Sequence, residues 1–138
     1  MRIAILGTGM VGRGLAARFA ELGHSVTVGT RDPEGVTSGD GEYALWLAGQ
    51  PTVDTRTFAQ ASAASEVVLN ATNGHVSLDV LSLAGADNLA GKVLIDLANP
   101  IEFGPDGHPQ VIPPPWLDPT GTPRRNSYWR PPPLDTLL

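Results

Sequence analysis

Three glycines close to the amino terminus constrain the fold of this chain more than any other feature. Gly7, Gly9 and Gly12 follow an apolar run at residues 3–6 and open a segment in which apolar residues recur at helical spacing. In such a motif the first glycine allows a tight turn, the second lets bare backbone approach a diphosphate, and the third lets the helix pack on the strand. The pattern predicts a strand, a turn and a helix, with a dinucleotide site at the turn.

The predicted helix begins near Met10 and contributes to this site through its backbone. Its first N–H groups have no partner within the helix, and together with the helix dipole they favour an anion without help from Lys or Arg. The acidic net charge of the chain, −5, is therefore compatible with a phosphate site. The alternative interpretation is a glycine-rich turn that joins a strand to a helix and binds nothing.

Strand and helix patterns alternate along the first hundred residues. Strands are predicted at residues 3–6, 25–30, 53–56, 66–71 and 92–97. Helices are predicted at residues 10–22, 42–48, 58–64 and 77–84. Thr57 is the predicted cap of the third helix. The glycine-rich segment at residues 34–41 is interpreted as a loop.

This alternation predicts an α/β fold. Parallel strands joined by right-handed helical crossovers build a Rossmann-type doubly wound sheet, here of about five strands in the order 3-2-1-4-5. A ligand of such a sheet lies across the carboxyl ends of its strands. Those ends correspond to the loops at residues 7–12, 29–32, 71–75 and 98–101.

The character of the sequence changes after about Phe103. Ten of the 13 prolines lie at or beyond Pro105, and strand or helix patterns are not recognisable there. We therefore expect a dinucleotide-binding domain over residues 1–104 and an irregular, proline-rich tail over residues 105–138. The tail is interpreted as loosely extended chain, and the alternative is a polyproline segment that docks a partner protein.

Composition excludes several classes of function. The nine Lys and Arg residues are scattered and the net charge is −5, so no basic stripe is available to follow a nucleic acid. The absence of cysteine excludes disulfides, thiolate catalysis and cysteine-based zinc sites, and no metal site is predicted. No apolar run is long enough to cross a membrane, and no signal peptide is recognisable. We expect a cytoplasmic protein that acts on a small-molecule substrate.

The tip of the second predicted strand indicates which nicotinamide cofactor would bind. NAD enzymes usually place an acidic residue there for the ribose hydroxyls, whereas NADP needs polar and cationic groups for its 2′-phosphate. Arg31 offers a forked cation and Thr30 a hydroxyl donor, which favours NADP. Asp32 is the competing candidate, because it lies about where a ribose-binding acid is expected. An ordinary Arg-Asp-Pro turn is the third interpretation.

Four segments taken together are more specific than the glycine motif alone. They are Ile-Leu-Gly-Thr-Gly-Met-Val-Gly at residues 5–12, Gly-Thr-Arg-Asp-Pro at 29–33, Val-Val-Leu-Asn-Ala-Thr at 67–72 and Ile-Asp-Leu-Ala-Asn-Pro at 95–100. In these segments the chain resembles the NADPH-dependent reductases of the deazaflavin coenzyme F420. The resemblance covers about residues 1–104. It implies a Rossmann domain that binds NADP(H), with coenzyme F420 as the co-substrate of hydride transfer.

By position, the resemblance assigns residues to three parts of the cofactor: the diphosphate, the 2′-phosphate and the nicotinamide end. The three groups, in that order, are Thr8, Gly9, Met10 and Val11; Thr30 and Arg31; and Ala71, Thr72, Asn99 and Pro100. With Gly7 and Gly12 of the turn they form the predicted site. The assignment agrees with the loops that the strand pattern places at the carboxyl ends.

No catalytic residue is predicted. Hydride transfer between two rings needs close, oriented stacking more than a titrating acid or base. The resemblance implies further strands and helices after the fifth strand. A non-catalytic dinucleotide-binding module, or a truncated remnant of such an enzyme, is therefore the alternative function. An uncovered edge of the fifth strand would favour association with another copy of the chain.

Overall fold

The computed structural model describes residues 1–99, 101–103, 105 and 107–111, and a parallel sheet forms the centre of its first compact unit, Met1–Asn99. The strands of this sheet are β1 (Arg2–Leu6), β2 (Ser25–Thr30), β3 (Val53–Thr57), β4 (Val67–Asn70) and β5 (Val93–Asp96). All neighbouring pairs are parallel, and the order is β3-β2-β1-β4-β5. The predicted Rossmann-type topology is confirmed.

The central strand is buried on both faces, as its continuous apolar sequence requires. In β1, Ile3 and Ile5 face one side of the sheet and Ala4 and Leu6 face the other, and none of the four is more than 2% exposed. β1 pairs with β2 along one edge and with β4 along the other. The sheet therefore brings the carboxyl ends of β2, β1 and β4 side by side.

Helices cover both faces of the sheet in the described part of the chain. They are α1 (Met10–Glu21), α2 (Pro33–Thr37), α3 (Glu42–Ala48), α4 (Phe58–Ala64), α5 (Ser77–Ala84) and α6 (Ala86–Leu89), with a 3₁₀ turn at Gly74–Val76. α1 and α3 pack on one face through Ala16 and Tyr43. α4 and α5 pack on the opposite face through Phe58 and Val80.

Local sequence signals determine where two of these helices begin or end. Thr57 caps α4, because its Oγ1 accepts the N–H of Gln60 at 3.2 Å and the Gln60 side chain accepts the N–H of Thr57 at 3.2 Å. This reciprocal arrangement confirms the predicted cap. After α1, Gly23 adopts a φ of 82°, a left-handed conformation that ends the helix where the sequence predicts.

Two of the helices are absent from the sequence prediction. α2 overlaps the segment at residues 34–41 that is interpreted as a loop, so that interpretation is wrong for residues 34–37. Asp32 caps α2 by accepting the N–H of Gly35 at 2.9 Å, and Pro33 lies in the first turn, where its missing N–H would have no helical partner. α6 is a single turn that follows Gly85. Both helices are too short to show an apolar period.

Two short strands are described beyond Asn99. β6 (Ile101–Phe103) and β7 (Pro109–Val111) pair antiparallel, with Ile101 opposite Val111. β7 lies inside the tail that the sequence predicts to be irregular, so the prediction is wrong for these three residues. A proline at the first position of a strand is compatible with pairing. Pro100 and both proline triplets of the tail lie outside the described residues.

Candidate functional site

The turn between β1 and α1 contains three glycines with different surroundings. Gly7 has a φ of 118°, and a Cβ there would lie 2.9 Å from the carbonyl oxygen of Ala71. A Cβ on Gly12 would overlap the carbonyl oxygen of Gly7, so this glycine allows α1 to pack on the turn. A Cβ on Gly9 would meet no atom within 4 Å. Gly9 therefore borders open space, in which a ligand could approach the backbone.

The amino terminus of α1 opens onto the same space. Gly9 is the N-cap residue, and no side chain caps the helix. The N–H of Arg13 donates to the Gly9 carbonyl at 2.9 Å, whereas the N–H groups of Met10 and Val11 precede the first helical hydrogen bond. The side chains of Met10 and Val11 are exposed. A helix terminus with these properties is suited to hold an anion.

A cleft of about 300 Å³ lies at the carboxyl ends of β1, β2 and β4. It is lined by seven residues of the predicted site: Gly7, Thr8, Gly9, Thr30, Arg31, Ala71 and Thr72. Met10, Val11, Gly12 and Asn99 do not form part of its wall. The carbonyl of Asn99 instead accepts the N–H of Gly74 at 3.2 Å. Pro100, the last predicted residue, lies outside the described part of the chain.

One wall of this cleft is formed by residues outside the predicted site. Val76, Asp79, Val80 and Leu83 recur at the spacing of one helical face along the 3₁₀ turn and α5, and Phe58 is contributed by α4. This spacing directly after a strand end is the signal that could have identified them. The wall offers apolar surface to a flat ligand group, with the Asp79 carboxylate beside it.

A second recess, of about 400 Å³, adjoins the cleft at the tip of β2. It is lined by Thr30, Arg31, Thr57, Phe58, Ala59 and Leu83. Four of these residues also line the cleft, so the two hollows are neighbours. A mostly apolar recess beside a guanidinium is suited to a flat aromatic base, because Arg stacks on such rings.

At the tip of β2, three consecutive side chains have different roles. Thr30 is buried, whereas Arg31 is exposed and lines both hollows. Asp32 accepts the N–H of Gly35, so its carboxylate serves as the cap of α2. Arg31 therefore offers its positive charge to a ligand in the cleft, while Asp32 is engaged with the backbone that follows.

A hydrogen-bond network centred on the buried Asn70 lies at the end of β4. The Nδ2 group of Asn70, which is fully buried, donates to Oγ of Ser77 at 2.7 Å and to Oδ1 of Asp96 at 3.2 Å. Its Oδ1 accepts from the main-chain N–H of Thr72 at 3.3 Å and from Oγ1 of Thr72 at 2.6 Å. The loop that carries Ala71 and Thr72 into the cleft is therefore anchored to both β5 and α5.

Metal and membrane features are not found in the part of the chain that the structure describes. No group of three or more His, Cys, Asp or Glu residues there could hold a metal ion. None of the described helices combines the length and the apolar character that crossing a bilayer requires.

Residues 2–100 match the family model described as NADP oxidoreductase, coenzyme F420-dependent. Over 106 residues the chain is 36% identical to the F420-dependent NADP reductase of Methanothermobacter thermautotrophicus, a match that covers 74% of this chain and 44% of that relative. The chain belongs to the F420-dependent NADP oxidoreductase family.

Two further comparisons describe how this member of the F420-dependent NADP oxidoreductase family relates to longer proteins. A crystal structure from Arthrobacter sp. FB24, provisionally named an F420-dependent NADP-reductase, superposes with a TM-score of 0.75 at 47% identity, covering 82% of this chain and 51% of that one. Metalloreductase STEAP3 of Rattus norvegicus is 37% identical over 102 residues, or 73% of this chain and 18% of the relative. The chain thus spans about half the length of the F420-related proteins it matches.

Proposed function

We propose that the chain binds NADP(H) in the cleft and takes part in hydride transfer between NADP(H) and a deazaflavin such as coenzyme F420, or another small acceptor. One observation carries this proposal: Gly9, the N-cap residue at the uncapped start of α1, and Arg31 both line the same cleft at the strand ends. Membership of a family whose description names NADP and coenzyme F420 supports the choice of cofactor and co-substrate.

The described residues fit the separate parts of NADP(H). The backbone from Gly9 into α1 would bind the diphosphate, and Arg31 with Thr30 would bind the 2′-phosphate. Ala71 and Thr72 would border the nicotinamide end. The resemblance adds four assignments, which are also proposals: Met10, Val11, Asn99 and Pro100.

The chemistry proposed for the site asks little of titrating side chains. Bound NADP(H) would supply the hydride donor or acceptor itself. The residues of this chain would hold the cofactor and orient its ring toward a second small molecule, and such positioning is the protein's main contribution to hydride transfer. We therefore assign no catalytic acid or base.

Parallel titrations with NADPH and NADH test the cofactor assignment. Because the two differ only in the 2′-phosphate, recognition by Arg31 should make NADPH bind at least about tenfold more tightly. Equal affinities would contradict the phosphate contact. If well-folded protein bound neither compound, the whole assignment would be wrong.

Turnover separates an enzyme from a dinucleotide-binding module. The full chain is mixed with NADPH and coenzyme F420, and the loss of NADPH is followed over time. Net oxidation supports the proposed activity. Tight binding of NADPH without oxidation in the presence of coenzyme F420 would instead favour a non-catalytic binding module.

We further propose that the edge of β5 associates with a second copy of the chain. Val93, Leu94 and Ile95 are 60%, 40% and 42% exposed, an unusual apolar surface for a sheet edge. The N–H of Leu97 donates to the carbonyl of β4 residue Asn70 at 2.9 Å. Since amide direction alternates along a strand, the amides of Val93 and Ile95 also point to β4, and the amide of Leu94 points outward.

The β5 sequence is complementary to itself when two copies run antiparallel about Leu94. In that register the two Leu94 residues lie opposite each other with outward amides, and Val93 lies opposite Ile95. Lys92 lies opposite Asp96, but Nζ of Lys92 donates to the carbonyls of Ser62 and Ala63 in its own chain, so the match rests on the apolar pairs. These features favour a second copy as the partner of this edge.

Sedimentation velocity on the full chain tests this association. We expect a dimer for the wild type and a monomer for Leu94→Lys, which would place two positive charges together on the twofold axis. Leu45→Lys, at an exposed position of α3, is the matched control and should leave the dimer intact. A monomeric wild type, or a dimer that persists in Leu94→Lys, would show that β5 does not pair with a second copy.

We also propose, from composition, that the protein has no nucleic-acid partner and that it is cytoplasmic. The net charge of −5 supports the absence of a nucleic-acid partner, which a titration with labelled DNA and RNA would test. Fractionation of cells that express the protein would test the proposed cytoplasmic location.

A further inference from the structure

The orientation of the Asn70 side-chain amide is fixed by its neighbours. Its Nδ2 lies 3.2 Å from Oδ1 of Asp96, a carboxylate oxygen that accepts, and its Oδ1 lies 3.3 Å from the main-chain nitrogen of Thr72, which can only donate. If the amide oxygen and nitrogen were exchanged, the amide oxygen would face the Asp96 carboxylate, which also accepts. The amide nitrogen would face the main-chain N–H of Thr72, which also donates. Because Asn70 is fully buried, water cannot relieve these contacts. The amide therefore has one satisfactory orientation.

This orientation determines the direction of the Thr72 hydroxyl. Its Oγ1 lies 2.6 Å from Oδ1 of Asn70, an oxygen without a proton, so Thr72 must donate its single proton there. Only lone pairs of Oγ1 remain for other partners. Thr72 lines the cleft, and its hydroxyl can thus offer a ligand an acceptor but no donor.

We propose that Thr72, with its proton fixed in this way, recognises a hydrogen-bond donor of the bound dinucleotide. Two groups at the nicotinamide end carry such donors: the carboxamide NH₂ and the hydroxyls of the adjacent ribose. The diphosphate carries acceptors only, so Thr72 does not bind it. Asn70 and Asp96 are positioning residues, because they act through Thr72. The inference rests on the proposed binding of NADP(H) in the cleft.

Titrations of the full chain with three ligands test the inference. NADP⁺ carries both kinds of donor, and its 3-acetylpyridine analogue lacks the carboxamide NH₂. The third ligand, 2′,5′-ADP, lacks the nicotinamide riboside together with the phosphate that joins it to the rest of NADP⁺. Thr72→Val removes the acceptor at similar side-chain shape and should weaken NADP⁺ binding by about fivefold to tenfold. Thr72→Ser keeps the hydroxyl and should change it by less than about twofold. Neither variant should alter the binding of 2′,5′-ADP.

The analogue identifies which donor is recognised. If Thr72 accepts from the carboxamide, the analogue binds the wild type and Thr72→Val equally. If Thr72 accepts from a ribose hydroxyl, Thr72→Val lowers the affinity for the analogue and for NADP⁺ by the same factor. Both results support the inference.

Two other results would overturn it, and they differ from each other. Unchanged NADP⁺ affinity in Thr72→Val, beside normal binding of 2′,5′-ADP, would refute the role of Thr72 and leave the proposed function standing. A wild type that bound neither NADP⁺ nor 2′,5′-ADP would refute the proposed function and this inference together.

A double-mutant cycle tests the positioning roles. Asp96→Ala removes the carboxylate oxygen that accepts from Nδ2 of Asn70 and from the N–H of Ala98, so the Asn70 amide, and the Thr72 hydroxyl with it, is held less firmly. NADP⁺ should bind Asp96→Ala more weakly, whereas 2′,5′-ADP should bind as before. Adding Thr72→Val should cause no further loss, because both changes remove the same contact. Additive losses would show that Asp96 does not act through Thr72.

Discussion

The two ends of the cleft are built in contrasting ways. At the tip of β2, Arg31 is exposed, and its long side chain would reach a phosphate. At the end of β4, the loop residue Thr72 is instead held by a hydrogen bond to the fully buried Asn70. A full charge attracts a phosphate over several ångströms and tolerates a flexible side chain. A neutral hydroxyl discriminates between ligand groups only when its proton points one way. Buried structure is thus concentrated at the end where we propose that recognition depends on direction rather than on charge.

The largest effect that this comparison predicts is on stability, at the β4 end. Asn70→Leu would leave the hydrogen-bonding groups of Ser77, Asp96 and Thr72 without their common partner. We expect the free energy of unfolding to fall by about 3 kcal/mol, measured by chemical denaturation. Asn88→Leu removes one hydrogen bond, from Nδ2 of Asn88 to the carbonyl of Ala84 at 2.8 Å, and is the matched control.

The expected loss in Asn88→Leu is about 1 kcal/mol. If Asn70→Leu cost no more than this control, the network beneath β4 would be no firmer than an ordinary partly buried contact. The contrast between the two ends of the cleft would then be wrong.

The next largest effect is on binding, at the β2 end. Arg31→Ala should weaken the binding of NADPH by about 30-fold, because charge-assisted hydrogen bonds to the 2′-phosphate are lost. The binding of NADH should weaken by less than about threefold. Its effect on the free energy of unfolding should stay within about 0.5 kcal/mol, as for other exposed side chains. Calorimetric titration with both cofactors, together with denaturation, measures the two quantities.

Arg18→Ala provides the control for the arginine substitution. Arg18 lies exposed on α1 and pairs with Glu21 at 3.1 Å, so its removal should leave both cofactor affinities unchanged. Equal losses of NADPH and NADH in Arg31→Ala would assign Arg31 to the base or the ribose instead of the 2′-phosphate.

Sequence reasoning reaches the β2 end of the cleft much better than the β4 end. The glycine turn, the strand order and Arg31 follow from short patterns whose chemistry can be read locally. Asn70 has no such signal, because it closes an apolar run and its burial depends on β5 and α5 packing around it. The wall formed by Val80 and Leu83 also requires α5 to lie over the cleft.

The same distinction explains the errors in secondary structure. α2 was hidden because Pro33 and Gly35 are typical of loops, although Asp32 supplies a cap and proline suits a first turn. β7 was hidden among prolines, and its pairing with β6 is a contact between separate segments. Patterns within one segment predict helices and strands well, whereas the pairing of two segments can be recognised only once the fold is known.

A smaller effect is expected from ionic strength. Raising salt from about 0.05 M to about 0.5 M shortens the Debye length from above 10 Å to below 5 Å, which screens an exposed guanidinium far more than a buried network. The affinity for NADPH should fall several-fold more than the affinity for NADH, and Arg31→Ala should remove most of this difference. The ratio of NADP⁺ affinities between the wild type and Thr72→Val should stay constant over the same range. A salt-dependent ratio would mean that the β4 end also works through charge.

The smallest effect concerns Asp32, which the sequence offers as an alternative to Arg31 and Thr30 because an acidic residue there could bind the ribose hydroxyls. Its Oδ1 accepts the N–H of Gly35 in the cap of α2, so we expect the carboxylate to act mainly as a helix cap. Asp32→Ala should therefore change NADH and NADPH affinities by less than about twofold, while the lost cap costs about 1 kcal/mol confined to α2. Hydrogen exchange of the α2 amides, beside calorimetry with both cofactors, measures these effects. A loss of about tenfold for NADH in Asp32→Ala would mean that the carboxylate binds the ribose, and that the β2 end discriminates by hydrogen bonding as well as by charge.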